Sequence, residues 1–183
     1  SNVGEYLGPI ASIIGYNSFN SSLGVVMDTL MKDKETGIYY DYCFIDKEIS
    51  KYLTVASLFP YTVGLSNDKE TAKKIFDRLD FPYGISTAEY RGDDMYMQWD
   101  YPHMWPPMVY LAYLGLQNVG LMDEAKLLRK QYMSTLESCY QKTGKLWEKY
   151  NTVTGEVSVT VEYETPTMMG WTAGVYEYLY NNK

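Results

Sequence analysis

The sequence predicts an all-α chain of helical hairpins, covering about half of a closed α/α toroid. Three observations predict it. One arrangement recurs three times: a glycine turn, an extended stretch with aromatic and carboxylate side chains, then a nearly uncharged segment of helix length. The turns are Thr36-Gly37, Tyr83-Gly84 and Thr143-Gly144, and the uncharged segments are residues 55–65, 105–116 and 168–180. Such segments read as buried helices. In the first two units a charged, amphipathic helix follows, which gives the inner and outer layers of a ring that six hairpins would close. The third observation is size and composition: 183 residues, 46% of them hydrophobic, suit a single region with a core of its own.

Taken in order, residues 3–14 and 18–31 read as a helix pair divided near Gly15, and residues 55–65 as the first inner helix. Asp68 stands where an N-cap is wanted, before Ala72, Ile75, Phe76 and Leu79 at helical spacing. Residues 105–116 form the second inner helix, its first turn set by Pro106 and Pro107. Asp123 reads as the cap of a helix with Ala125, Leu128, Tyr132, Leu136 and Cys139 on one face, ending before Gly144. Residues 168–180 form the third inner helix, for a total of about seven. An open part-ring exposes apolar inner-helix surface, which marks a partner site: the missing N-terminal part of the toroid, or a second copy in a homo-oligomer.

Charge and chemistry exclude several classes. There are 23 acidic and 16 basic residues, a net charge of −7, with no long like-charge run, so a nucleic-acid groove is disfavoured. His103 is the one histidine and Cys43 and Cys139 the two cysteines, which gives no zinc-ligand spacing and no disulfide framework; neither a metal nor a cofactor is expected. The uncharged run over 104–119 holds two prolines and falls short of the roughly 18 apolar residues of a span, so no membrane crossing is expected. The separated cysteines fit a reducing cytoplasm better than an oxidising exterior. Ser1-Asn2 reads as a cloning remnant.

Twenty tyrosines and four tryptophans suit a cleft that grips sugars, whose C–H faces stack on rings while their hydroxyls seek hydrogen bonds; a tyrosine-rich core is the plainer alternative. The densest constellation is Gln98-Trp99-Asp100-Tyr101-Pro102-His103-Met104-Trp105-Pro106-Pro107, a loop stiffened by proline just before an inner helix. It reads either as a carbohydrate platform or as an aromatic plug closing one hairpin. In Lys145-Leu146-Trp147-Glu148-Lys149-Tyr150-Asn151, a carboxylate among aromatics suits a general base toward water, with a surface salt bridge to Lys145 or Lys149 as the alternative. In Val161-Glu162-Tyr163, Glu162 and Glu164 flank the tyrosine and face one side of an extended stretch; Gly170 and Gly174 further on read as sites of close helix approach.

In this order the three segments resemble the trehalase family of glycoside hydrolases. Gln-Trp-Asp-Tyr-Pro-x-x-Trp-Pro-Pro over 98–107 is similar to that family's second signature, Glu148-Lys149-Tyr150 to its Glu-Lys-Tyr segment, and Glu162-Tyr163 with Gly170-Trp171-Thr172-x-Gly174-Val175 to its Glu-Tyr and Gly-Trp-Thr-Asn-Gly-Val blocks. The departures are His103 in place of an asparagine, Ala173 in place of another, and Val157-Ser158-Val159-Thr160-Val161 in place of a glycine-rich lid. The segments Tyr150-Asn151-x-x-Thr154-Gly155-Glu156 and Trp171-Thr172-Ala173 also resemble the processing α-glucosidases of glycoside hydrolase family 63.

The resemblance implies the C-terminal portion of an α/α-toroid catalytic domain and an inverting hydrolysis of an α-glucosidic disaccharide, trehalose first. It makes Glu148 the general base and Glu162, Gln98, Trp99, Asp100 and Trp105 the substrate-binding residues. The family's catalytic acid lies in a Ser-Gly-Trp-Asp segment that has no counterpart in this chain, so the isolated chain is expected not to turn trehalose over. A family 63-like α-glucosidase, a non-catalytic carbohydrate-binding module and an interaction subunit are the alternatives.

Overall fold

A computed structural model describes residues 16–92, 97–167 and 170–182; the helix expected over 3–14 lies outside them. The chain divides into two compact units, Ser1–Lys51 and Tyr52–Lys183.

In the first unit, helix α1 (Tyr16–Leu30) matches the expected 18–31 segment. It exposes Leu23, Val25, Val26 and Leu30. The following turn is tied by Asp33, whose carboxylate accepts the N–H groups of Glu35 and Thr36, both at 2.9 Å. Gly37 turns the chain at φ +74°. Then strands β1 (Tyr42–Cys43) and β2 (Glu48–Ile49) form a short antiparallel hairpin.

The second unit begins with a correction. The helix expected over 55–65 is a 3-10 turn, Val55–Leu58, followed by a single α-turn, α2 (Phe59–Thr62). Pro60 has no N–H to extend a ladder back into the 3-10 turn, and Gly64 at φ +71° turns the chain out of the helix. Helix α3 (Lys69–Leu79) follows the sequence closely: Asp68 accepts the Thr71 N–H at 3.1 Å and the Thr71 hydroxyl at 2.7 Å, and Ala72, Ile75, Phe76 and Leu79 are buried. Strands β3 (Asp80–Phe81) and β4 (Gly84–Ile85) close a tight hairpin behind it.

Strand β5 (His103–Met104) leads into helix α4 (Pro106–Asn118), whose first two positions are the predicted prolines. Helix α5 (Met122–Thr143) buries the five residues expected on its inner face and ends at Gly144, which is left-handed at φ +66° and donates its N–H to the Tyr140 carbonyl at 2.7 Å. Its start differs from expectation. Leu121 occupies the cap position, and Asp123 lies inside the first turn with Glu124, where both carboxylates face the positive end of the helix dipole instead of capping it. Strand β6 (Tyr150–Asn151) and helix α6 (Gly170–Asn181) complete the unit.

Helix α4 touches α2 on one side and α6 on the other, α5 lies against α4 and α6, and α3 packs on the 3-10 turn. This is an inner row of nearly uncharged helices shielded by charged ones, as the repeat predicts. Gly115 allows the α2–α4 contact: a Cβ there would meet the Leu58 carbonyl oxygen and the Thr62 hydroxyl, both at 3.0 Å. Helix α6 departs from the reading of a fully buried helix. It buries Thr172, Val175 and Leu179 and exposes Trp171, Ala173, Gly174 and Tyr180. Gly170 and Gly174 face open space within 4 Å, so neither serves a close helix contact among the described residues. Among those residues no helix is long and apolar enough to cross a membrane, and no group of three or more His, Cys, Asp and Glu side chains is placed to hold a metal.

Candidate active site

The two richest motifs are far apart in sequence and are joined by one strand pair. β5 runs antiparallel to β6, with His103 opposite Asn151 and Met104 opposite Tyr150. The other side of the Glu148 segment is tied as well. Trp147 bridges Thr167, the Glu148 N–H donates to the Pro166 carbonyl at 3.1 Å, and the Ser158 N–H donates to the Lys149 carbonyl at 3.2 Å. Glu148 therefore sits on a backbone held from both sides.

Its side chain is not at the surface: Glu148 is 7% exposed and Lys149 0%. The Lys149 Nζ donates to Glu148 Oε2 at 3.0 Å and to the Tyr163 hydroxyl oxygen at 2.7 Å, while the Tyr163 hydroxyl donates to the same Glu148 Oε2. Burial, and then the adjacent Glu148 carboxylate, push the Tyr163 phenol well above its ordinary range, so it stays a protonated donor. The ammonium also lies over two rings, 4.1 Å from the centre of Tyr163 and 5.1 Å from that of Trp105. Lys149 is indeed an ion-pair partner of Glu148, but the pair is a buried one and not the surface bridge that was the alternative reading.

Trp105 roofs this cluster. It is 2% exposed, donates its indole N–H to the Gln98 carbonyl at 2.7 Å, stacks on Trp99 at 4.0 Å between ring centres, and meets Trp171 edge-on at 6.0 Å. Trp99 is 48% and Trp171 39% exposed, so one buried indole carries two accessible ones. Glu162 is exposed and its carboxylate accepts the Gln98 N–H, which links the third motif to the first.

Five of the six residues singled out in the sequence thus belong to one contiguous group: Glu148, Glu162, Gln98, Trp99 and Trp105. The sixth, Asp100, turns elsewhere. Its carboxylate accepts from the Tyr52 hydroxyl and from Arg91, both at 3.1 Å. Lys149, Tyr163 and Trp171 were not singled out as site residues. Strand alternation puts Lys149 on the face opposite Glu148, which argues against the contact they make; the signal available was the expectation that a lysine among aromatics, if buried, needs a paired charge.

His103, where the resemblance has an asparagine, is buried in the floor of this region at 1% exposure. Its Nδ1 is bonded to the Ser158 hydroxyl, so two of the departures from the family pattern meet each other. Burial, and then the Lys149 charge, push the imidazole down to about 4, and the ring is neutral at pH 7. An open cleft of about 440 Å³ lies in the first unit, lined among others by Asp33, Glu35, Glu48 and Lys51, and holds none of these residues.

The family model for Trehalase matches residues 5–182. The chain belongs to the trehalase family. It is 31% identical over 173 residues to the periplasmic trehalase of Citrobacter koseri, covering 92% of this chain and 30% of that protein. Against the periplasmic trehalase of Xanthomonas oryzae pv. oryzae it is 30% identical over 151 residues, 80% of this chain and 26% of the relative. The chain thus spans about 30% of the length of the curated relatives it matches. Among solved structures, the neutral trehalase from Saccharomyces cerevisiae aligns with a TM-score of 0.75 at 21% identity, over 92% of this chain and 30% of that one. A GH63 mannosylglycerate hydrolase from Thermus thermophilus aligns with a TM-score of 0.64 at 15% identity, over 87% and 38%. These likenesses give this trehalase-family chain the α/α-toroid fold, of which it is a fragment.

Proposed function

We propose that this chain is the base-bearing part of an inverting glycoside hydrolase that cleaves an α-glucosidic disaccharide, trehalose first. What carries the reading is the placement of Glu148: a nearly buried carboxylate, paired with a fully buried ammonium, at the edge of an indole ledge with two accessible faces. A carboxylate held there accepts a proton from water as the water oxygen attacks the anomeric carbon. The leaving oxygen takes its proton from a carboxylic acid on the opposite face, roughly 6.5–9.5 Å away so that water fits between. That acid comes from outside this chain, since no Ser-Gly-Trp-Asp segment occurs in it.

Trp99 and Trp171 offer rings for the C–H faces of the sugar, and Glu162 and the Gln98 amide offer polar groups for its hydroxyls. Trp105 supports Trp99 from beneath. Asp100, already held by Arg91 and Tyr52, supports the loop and leaves sugar contact to its neighbours.

The test uses trehalose and a glucose readout. The 183-residue chain alone gives no turnover. The catalytically complete protein that contains it gives turnover, and Glu148→Gln lowers kcat on the order of 10²–10⁴-fold. An unchanged kcat in that variant removes Glu148 from the chemistry. A family 63-like α-glucosidase activity, toward which the residues over 150–156 and 171–173 point by their resemblance to that family, would read as turnover of α-glucosides such as maltose with trehalose untouched.

A further inference from the structure

We infer that Lys149 and Tyr163 are positioning residues that both engage Oε2 of Glu148 and leave Oε1 as the oxygen that takes the proton from water. The inference rests on the reading of Glu148 as the base and adds which atom acts and what aims it.

The two oxygens of this carboxylate are not equivalent. Oε2 receives the Lys149 ammonium at 3.0 Å and the Tyr163 hydroxyl; among the described residues no hydrogen bond falls on Oε1. An oxygen that accepts two strong donors, one of them charged, has its electron density committed and is the poorer proton acceptor. Proton transfer then runs through Oε1: the water O–H bond breaks, the proton goes to Oε1, and the water oxygen bonds to the anomeric carbon as the glycosidic bond opens toward the acid.

Neither donor is free to leave. The Lys149 Nζ is fully buried, bonded also to the Tyr163 oxygen at 2.7 Å and enclosed by the rings of Trp105 and Tyr163. The loop carrying Tyr163 is tied down at Ser158, whose N–H reaches the Lys149 carbonyl, whose carbonyl accepts the Thr165 hydroxyl at 2.5 Å, and whose hydroxyl meets His103. Removing one donor therefore loosens the carboxylate and frees Oε2 to compete for the proton.

The experiment has two readouts. In the catalytically complete protein labelled with ¹³Cζ-tyrosine, Glu148→Gln shifts the Tyr163 Cζ resonance at neutral pH; an unmoved resonance means the contact is not made and overturns the inference. In the catalytically complete protein with trehalose, Lys149→Met and Tyr163→Phe lower kcat by about tenfold or more with KM held, and Lys149→Arg restores most of it. Tyr163→Phe is the milder change and decides the matter if Lys149→Met does not fold. An undiminished kcat in both variants of a protein whose Glu148→Gln variant is dead overturns the positioning role alone. A fully active Glu148→Gln variant brings down the reading of Glu148 as the base.

Discussion

The second unit holds the same three groups twice, a carboxylate with a cation and a phenol, and treats them in opposite ways. At one place Glu148 meets Lys149 and Tyr163, with Lys149 fully buried. At the other Asp100 meets Arg91 and Tyr52, Arg91 lying 3.8 Å over the Tyr52 ring with 53% of its side chain exposed. The distances are nearly alike and the surroundings are not. Water screens the second cluster, so its ion pair contributes little and fixes little. In the first, water is excluded, the charges hold each other together with the Tyr163 hydroxyl and the rings of Tyr163 and Trp105, and the geometry is locked. The dry trio is locked by burial, whereas the wet one ties its loop through the Tyr52 hydroxyl bond to Asp100.

The largest expected effect tests that contrast directly. Lys149→Met leaves the Glu148 carboxylate without its cation in a nearly closed site, and costs about 3–5 kcal/mol in urea unfolding of the chain. A cost below about 1 kcal/mol, the range of exposed pairs, would mean that the two clusters are energetically alike.

The roof above the dry trio gives the next effect. Trp105→Ala empties a site that is 2% exposed and uncovers the ammonium, so about 3–5 kcal/mol is lost. Trp99→Ala removes a ring that is 48% exposed; it costs about 1 kcal/mol of stability, the value of an aromatic pair, and weakens sugar affinity measured by calorimetry on the complete protein. Equal losses of stability in the two variants would erase the distinction between scaffold and contact.

How much of this was legible depends on the range of the interaction. The Asp68 cap, the α3 and α5 stripes and the Gly144 stop follow from contacts within a few residues, and the sequence carries them plainly. The first inner helix was misjudged because an uncharged run says that a segment is buried, not how it is wound, and Pro60 and Gly64 decide the winding. Asp123 was misjudged by two positions because a carboxylate is favourable both as a cap and just inside the helix. In the site, the sequence offered Lys149 as a partner of Glu148 but as a surface bridge, since no local pattern shows that the pair is buried, and Tyr163 stood between two acidic neighbours that drew attention instead. Asp100 stood in the densest motif and still turned away, because a partner at position 52 lies outside any local pattern.

His103 reports on both clusters at once, since the Lys149 charge lowers its pKa and the Asp100 charge raises it. Buried and neutral, with its pKa down at about 4 against an ordinary value near 6.5, it takes up its proton later than in the unfolded chain. Its contribution to stability is complete above about pH 6.5, declines as the pH falls toward about 4 and is flat below, a total of about 3 kcal/mol. Unfolding at a series of pH values shows this slope, and His103→Asn flattens it. Moving either neighbour sharpens the comparison: Asp100→Asn pushes the midpoint lower still, whereas Lys149→Met raises it, the Lys149 shift being the greater.

The smallest effect comes from the wet trio itself. Arg91→Met breaks a pair with 53% of the arginine and 20% of the aspartate side chain exposed, and the aspartate left behind is still reached by water. The stability change stays within about 1 kcal/mol and shrinks further in 1 M salt, where the Debye length falls to about 3 Å. Tyr52 still shares its one O–H between Asp100 and the Glu89 carbonyl, which keeps the loop stapled without the cation. A loss near that of Lys149→Met would show that Arg91 is desolvated and that the loop before Trp99 depends on its charge, and the division between a locked trio and a loose one would then have to be redrawn around hydrogen bonding instead of burial.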